Sequence, residues 1–274
     1  TFKPKAPLGS LDLEQDRDGN LWLSMMFQGA LAKFDRKTKE FTYYPLPDAL
    51  QDADTQLATV APGGSHVDDK VWTQTGGATG RMMLRIDLKT NQVEMFPPYQ
   101  NIPPTSPMYG RTHSTYQIIA DSQNNLLFHD FGDRYIGRLD AKTAEFKYFP
   151  TPTDRSRPRR GMVDAQDRIW FAQYAGSNVG MLDPKTGVMK EWKVPVPYFH
   201  PYQAKVDRNG DIWTAGMAAN QVVRVNSVSG ETTIYPLPED VNMRNLYIDD
   251  RQKQIAIWIG NNNGGTILKM EPLD

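Results

Sequence analysis

The chain contains no cysteine. Disulfides, thiolate catalysis and cysteine-based zinc sites are therefore excluded. Histidine is almost as scarce. His66, His113, His129 and His200 are the only imidazoles from which a general base or a nitrogen metal ligand can be drawn. Charge of one sign is lacking too: 31 Lys and Arg stand against 32 Asp and Glu, a formal net charge of −1. No global basic field points to nucleic acid, and no nucleic-acid partner is expected. No apolar run approaches the roughly 20 residues of a membrane-spanning helix, so no membrane span is expected. The first residue is Thr1 rather than methionine, as expected of a chain that has lost a signal peptide or of a domain cut from a longer protein.

What is plentiful is Gly (21), Pro (20) and aromatic side chains (11%). That mix suits many short strands joined by tight turns. A fixed-period repeat organises them. An aromatic or apolar anchor follows a turn at Trp22, Trp72, Leu127, Trp170, Trp213 and Trp258, at spacings of 50, 55, 43, 43 and 45 residues. A second anchor trails it in "FDRKT", "IDLKT", "LDAKT", "LDPKT" and "VNSVS", and a third is an aromatic-proline ending such as "FTYYPLP" or "FKYFPTP". Each unit reads as four short strands. A lone four-stranded meander cannot bury both faces, whereas radial stacking can. The expectation is a single all-β domain over residues 1–274: a six-bladed β-propeller with four-stranded antiparallel blades. The N-terminal "TFKPKAP" is expected to join the last blade and close the ring, removing exposed sheet edges.

Within such a blade the loops after the second and fourth strands share one face. They are the long, varied ones, including Pro47–Gln56, Pro97–Arg111, Thr151–Arg157, "TGGATG" and "NNNGG". Function is expected on that face, at the mouth of a central channel. Aligning the units on Asp16, Asp121, Asp164 and Asp207 places Leu11, Tyr116, Arg159 and Tyr202 at one inward position of the first strand, and counting back from Asp249 adds Arg244. Arg111, His113, Arg160 and His200 lie nearby. The expected site is thus a basic and aromatic cluster. Arg111, Tyr116, Arg159, Arg160, Tyr202 and Arg244 would bind a small polar or anionic molecule, since a buried arginine needs an anionic partner. His113 and His200 are the candidate bases. Asp130, at the end of a second strand, would orient His113 or share a metal with it. His66 is expected in a solvated turn and His129 in the packing between blades.

The runs "PRRGMVDAQDRIWFAQYAGSNVGMLDPKTGVMKEW" and "HPYQAKVDRNGDIWTAGMAANQVVRVNSVSGETTIYPLP" resemble blades of the virginiamycin B lyase (streptogramin lyase) family. Those blades read approximately Pro-His-Gly-Ile-x-x-Asp-x-x-Gly-x-Leu-Trp-Phe-Thr-Glu, then x-Ile-Gly-Arg-Ile-Asp. The likeness spans nearly the whole chain and is best from Tyr109 onward. It implies a secreted or periplasmic bacterial propeller that opens a cyclic depsipeptide by elimination. A histidine would take the proton α to a carbonyl while magnesium steadies the enolate; calcium is the other hard cation such oxygen donors would accept. The resemblance places the metal's Glu ligands after the Trp-Phe-Thr and the base in a Glu-x-His on the first strand. Here the third residue after each anchor is Met25, Thr75, Asp130, Gln173, Gly216 or Asn261, and no Glu-x-His occurs.

Three functions remain open on this reading. One is a lyase-like propeller acting on or binding a small molecule, with His113 or His200 as base and Arg159 and Arg244 steadying the anion. Another is a non-catalytic binding or docking propeller, with further domains or protein partners outside this chain. The last is a lactonase-type hydrolase, for which only Asp12 and Asn245 supply cage ligands.

Overall fold

The computed structural model describes residues 9–51, 57–76 and 81–273. The expected closing strand at Thr1–Pro7, residues 52–56 of one long loop and Gly77–Gly80 of "TGGATG" lie outside the described residues. Apart from helical turns at Asp48–Leu50 and Ser65–Asp68, the regular structure described is strand. The first two groups are β1–β4 (Ser10–Gln15, Leu21–Met25, Ala30–Phe34, Phe41–Pro45) and β5–β8 (Leu57–Ala61, Lys70–Thr75, Met83–Asp87, Val93–Phe96). Next come β9–β12 (Thr115–Ala120, Leu126–Asp130, Tyr135–Leu139, Phe146–Pro150) and β13–β16 (Pro158–Val163, Ile169–Gln173, Asn178–Leu182, Met189–Lys193). The chain ends with β17–β20 (Pro201–Val206, Asp211–Gly216, Gln221–Asn226, Thr232–Pro236) and β21–β23 (Met243–Asp249, Ala256–Asn261, Thr266–Met270).

These strands do not form the six-bladed propeller expected from the anchors. They form four separate blades and one continuous sheet: β1-β2-β3-β4, β5-β6-β7-β8, β12-β11-β10-β9, the three-stranded β21-β22-β23, and the eight-stranded β16-β15-β14-β13-β17-β18-β19-β20. The physical cause is a parallel pairing of β13 with β17 at Arg160↔Gln203. Side-chain anchors count repeats, but they are blind to whether the first strands of neighbouring repeats exchange main-chain hydrogen bonds. The last sheet has three strands among the described residues, and the segment expected to add a fourth lies outside them.

The local chemistry of each repeat is shared. Asp16, Asp164 and Asp207 each accept the indole N–H of the tryptophan six residues on, at 3.0, 2.7 and 2.8 Å. The same carboxylates accept backbone N–H groups of their own turn, from Asn20, Arg168 and Asp211. One acid thus closes the hairpin and aims the indole. Trp72 follows the longer turn that contains His66 and donates instead to the Asn124 carbonyl, at 2.9 Å. In the next turn along, Asp35, Asp87, Asp140 and Asp183 accept the N–H groups two and three residues on, and Asn226 does the same. This is the self-bonding turn that Asp and Asn favour, and it is why "DxKT" recurs.

Packing divides the chain into two compact units, one drawn from Thr1–Phe128 and Gly137–Tyr148, the other from His129–Ile136 and Phe149–Asp274. In unit 1, Trp22 packs with Leu57 and Val60 of β5, and Trp72 with Ile118 and Ala120 of β9. In unit 2, Trp170 packs with Ala204 of β17, and Trp213 with Met243 and Leu246 of β21. The joint is the same four times: the indole of one repeat against the first strand of the next. Burying each indole is worth roughly 4–6 kcal/mol before ordering costs.

Candidate functional site

Unit 2 gathers three of the predicted residues, Arg159, Tyr202 and His200, around an aromatic cage. Arg159, near the start of β13, is half-buried. Its guanidinium carbon lies 4.1 Å from the ring centroid of Tyr202, 4.6 Å from that of Tyr174 and 4.8 Å from that of Phe131. Three aromatic faces therefore hold one cation, an arrangement that orders the guanidinium and takes the place of part of its hydration. Arg157 stands over the same Phe131 ring at 4.2 Å and donates from Nε to the Phe131 carbonyl at 2.9 Å. His200 stacks on Tyr174 with centroids 4.7 Å apart. Its Nδ1 lies 3.2 Å from the Tyr174 carbonyl oxygen. A carbonyl can only accept, so the neutral ring carries its proton on Nδ1 and its lone pair on Nε2.

The backbone is forced at this place. Arg155, Arg157, Tyr198 and His200 have φ of 45°, 53°, 55° and 49°. Non-glycine residues adopt this left-handed region only when the surroundings impose it. The imposition is visible: the main-chain oxygens of Arg157 and His200 accept the N–H groups of Tyr174 and Met217. These bonds tie each loop entering a first strand to the end of the second strand of the same repeat.

Of the predicted residues, Arg159, Tyr202 and His200 come together. Arg160 is buried at the β13–β17 seam rather than in the cage. Arg244 is exposed and donates from Nε to Asn242 at 3.4 Å. Phe131 and Tyr174 were missed by sequence reasoning. Their signal is positional: each is the fourth residue after an anchor, Leu127 or Trp170, one place beyond the position that was inspected.

The predicted residues of unit 1 form a second group. His113 stacks on Tyr99 at 4.8 Å and its Nε2 lies 2.9 Å from the Met108 carbonyl, which puts the proton on Nε2. The Tyr116 carbonyl accepts from Gln74 Nε2 at 2.8 Å. Arg111 is exposed. Arg81, also missed by the sequence reading, belongs here. Burial pulls its guanidinium below the ordinary arginine range, and neighbouring Tyr116 and Tyr99 partly offset this.

The described side chains do not gather a metal site. Among the described residues no group of three or more His, Asp or Glu is placed to hold one. Asp130, the one carboxylate three residues after an anchor, is fully buried and accepts the Gly132 N–H at 3.1 Å, closing its own turn. Asp12 is likewise occupied with structure, since its Oδ2 accepts the Val60 N–H at 3.3 Å. His129 is buried in β10 beside Phe171, at 6.3 Å between rings. Among the described residues no helix is long and apolar enough to cross a membrane.

The repeated four-stranded sheets are those of a propeller-type chain. The virginiamycin B lyase family matches residues 102–273, more than half of the sequence, and the chain belongs to that family. No curated protein matches it in sequence. Among solved structures, a streptogramin B lyase is similar with a TM-score of 0.72 and 18% identity, covering 100% of this chain and 86% of that one. Selenomethionine-substituted virginiamycin B lyase from Staphylococcus aureus gives 0.70 and 16%, covering 98% and 86%. A catalytically inactive variant of the Staphylococcus aureus enzyme with quinupristin gives 0.70 and 16%, covering 100% and 87%. At these identities the likeness shows the fold alone.

Proposed function

We propose that this member of the virginiamycin B lyase family binds a small polar or anionic molecule at the Arg159 cage of unit 2. The observation that carries the reading is the guanidinium held by Phe131, Tyr174 and Tyr202. Ring faces fix the plane of the cation, and the N–H groups in that plane suit the two oxygens of a carboxylate or a phosphate. His200 supplies a second polar group through the shared Tyr174 ring. The ligand is expected to be carbonyl- or carboxylate-bearing, with an apolar part for the aromatic walls.

The test is titration calorimetry with a panel of small carboxylates, phosphates and cyclic depsipeptides. Binding should fall at least about tenfold in Arg159→Lys, which keeps the charge and loses the planar fork. Equal binding by the wild type and Arg159→Lys would remove the cage from the reading.

A second reading, elimination, is favoured by the tautomer of His200. With its proton on Nδ1, Nε2 is the basic atom. It would take the proton α to a carbonyl, the C–H electrons would form the new double bond, and the ester carboxylate would leave with the C–O pair. Arg159 would steady the developing negative charge. This route uses the chain's own side chains, since among the described residues no group of three or more His, Asp or Glu is placed to hold a metal. Incubation with a cyclic depsipeptide, followed by mass spectrometry, should then give a ring-opened dehydro product of unchanged mass, abolished in His200→Ala.

A further inference from the structure

The chain has 12 methionines and no cysteine, so all its sulfur is thioether. One thioether touches the cage. Arg159 donates from Nη1 to Met217 Sδ at 3.7 Å. The contact is built into the repeat. Met217 is the fourth residue after Trp213, the place that Phe131 and Tyr174 hold after Leu127 and Trp170. In two repeats that place sets a ring face on the guanidinium, and in the third it brings sulfur to an N–H edge. The Met217 N–H donates to the His200 carbonyl at 3.1 Å, which ties it to the loop carrying the imidazole. All of these groups belong to unit 2. Ring faces hold the cation but give its N–H edge no acceptor. Thioether sulfur is a weak acceptor on a flexible side chain. A ligand carboxylate, bonding an N–H far more strongly, displaces it readily. Oxidation inverts that order, because a sulfoxide carries a polar oxygen on the same sulfur.

We propose that Met217 is an oxidation site whose sulfoxide oxygen caps Arg159 Nη1 and closes the cage to its ligand. Met217 is partly exposed, as oxidation requires. A sulfur lone pair attacks one oxygen of hydrogen peroxide and the O–O bond breaks. The displaced hydroxide takes the proton of the transferred oxygen and leaves as water. Sulfur is oxidised, the peroxide is reduced, and a methionine sulfoxide reductase reverses the change. The new oxygen accepts a charge-assisted bond from the guanidinium, the same bond a ligand carboxylate would make. The effect on binding rests on the ligand reading of the cage, whereas the bond between sulfoxide and guanidinium does not.

Peptide mass spectrometry after mild peroxide treatment should find one added oxygen on Met217. A crystal structure of the treated protein reads the cap with no ligand present: the sulfoxide oxygen should lie within hydrogen-bond distance of Arg159 Nη1. Titration calorimetry with benzoate, a carboxylate on one apolar ring, reads the consequence. Peroxide should weaken wild-type binding about tenfold, the order set by a charge-assisted bond that must first break. Met217→Gln, whose amide oxygen stands in for that of the sulfoxide, should show the same loss without peroxide. Met217→Leu keeps a similar volume and can neither be oxidised nor accept a bond, so peroxide should leave its affinity where it was while the other methionines are oxidised as before. The proposal is overturned by a Met217 left intact while Met95, 53% exposed, is oxidised. It is equally overturned by a sulfoxide turned away from Arg159, or by a peroxide effect as large in Met217→Leu as in the wild type. Untreated wild type that fails to bind benzoate, with the cap present in the treated crystal, counts against the ligand reading and leaves the cap standing.

Discussion

Replacing Gly161 with alanine should unfold the neighbourhood of the Arg159 cage. Gly161 lies in β13 opposite Phe171 of β14. A Cβ at this position would stand 1.8 Å from the Trp170 carbonyl oxygen, 2.8 Å from its carbon and 3.0 Å from the Phe171 Cα. All three are backbone atoms, so no side chain can swing aside. Ordinary carbon–oxygen contacts sit near ~3.3 Å, which requires β13 to retreat by roughly 1.5 Å. Over-packing in a tight interior costs about 1–3 kcal/mol. A clash relieved only by opening a strand pair belongs at the top of that range, about 3 kcal/mol or more. For a chain of this size that lowers Tm by about 6–12 °C. Gly260→Ala is the control: it is also a strand glycine, its Cβ would meet nothing within 4 Å, and it should gain about 0.5–1 kcal/mol from reduced chain entropy. Thermal and denaturant unfolding followed by tryptophan emission would read both variants. Equal melting of Gly161→Ala and wild type would refute the steric argument. Arg159 is two residues upstream on the same strand, so surviving Gly161→Ala protein should also bind ligand more weakly.

Other outcomes follow from the same geometry. Asp207→Asn weakens the carboxylate that Trp213 Nε1 and the Asp211 N–H share, and should cost about 1.5–3 kcal/mol in denaturant unfolding, as expected for a buried charge-assisted bond. Acid should destabilise the fold. Backbone N–H groups hold Asp35, Asp87 and Asp140 below the usual carboxylate range, and in Asp183 such bonds outweigh a burial that acts upward. Hydrogen bonds from Arg85, joined by Lys70, bring Glu94 to about 2 despite partial burial. Folded values below unfolded ones mean that stability is complete above the unfolded carboxyl range and is lost as pH falls through it towards about 2. Tm should therefore be insensitive to these groups above about pH 5 and should drop steadily below about pH 4; a flat profile down to pH 2 would contradict this. Glu94→Gln should lose only about 1 kcal/mol, because that carboxylate is 42% exposed and solvent screens the pair; chemical denaturation is the check.

The sequence made the repeat legible because its anchors do physical work inside each unit. The Asp six residues before the tryptophan bonds the indole, and the Asp of "DxKT" bonds its own turn, so both are fixed by local chemistry. The sheet count was not legible. The pairing of Arg160 with Gln203 is a main-chain event that leaves no mark in side-chain pattern. Part of the site could be read as well. Arg159 and Tyr202 share a strand register, and that register carried them to the same place. Phe131 and Tyr174 lie just past strand ends, where the alternation of strand faces no longer dictates direction. Arg244 stands on a strand whose following turn is longer, and counting back from Asp249 gave the right strand but not a cage residue. Arg81 precedes β7, where no periodic signal reaches.

The left-handed loop residues bear on how this protein would respond to selection. Each non-glycine residue held at positive φ forgoes about 1–3 kcal/mol of conformational ease. Glycine at Arg157 or His200 would recover some of that while deleting the guanidinium or imidazole beside the aromatic walls. A laboratory evolution experiment rewarding heat resistance alone would therefore drift towards a hardier and emptier molecule. The survivors would carry glycines at those two codons.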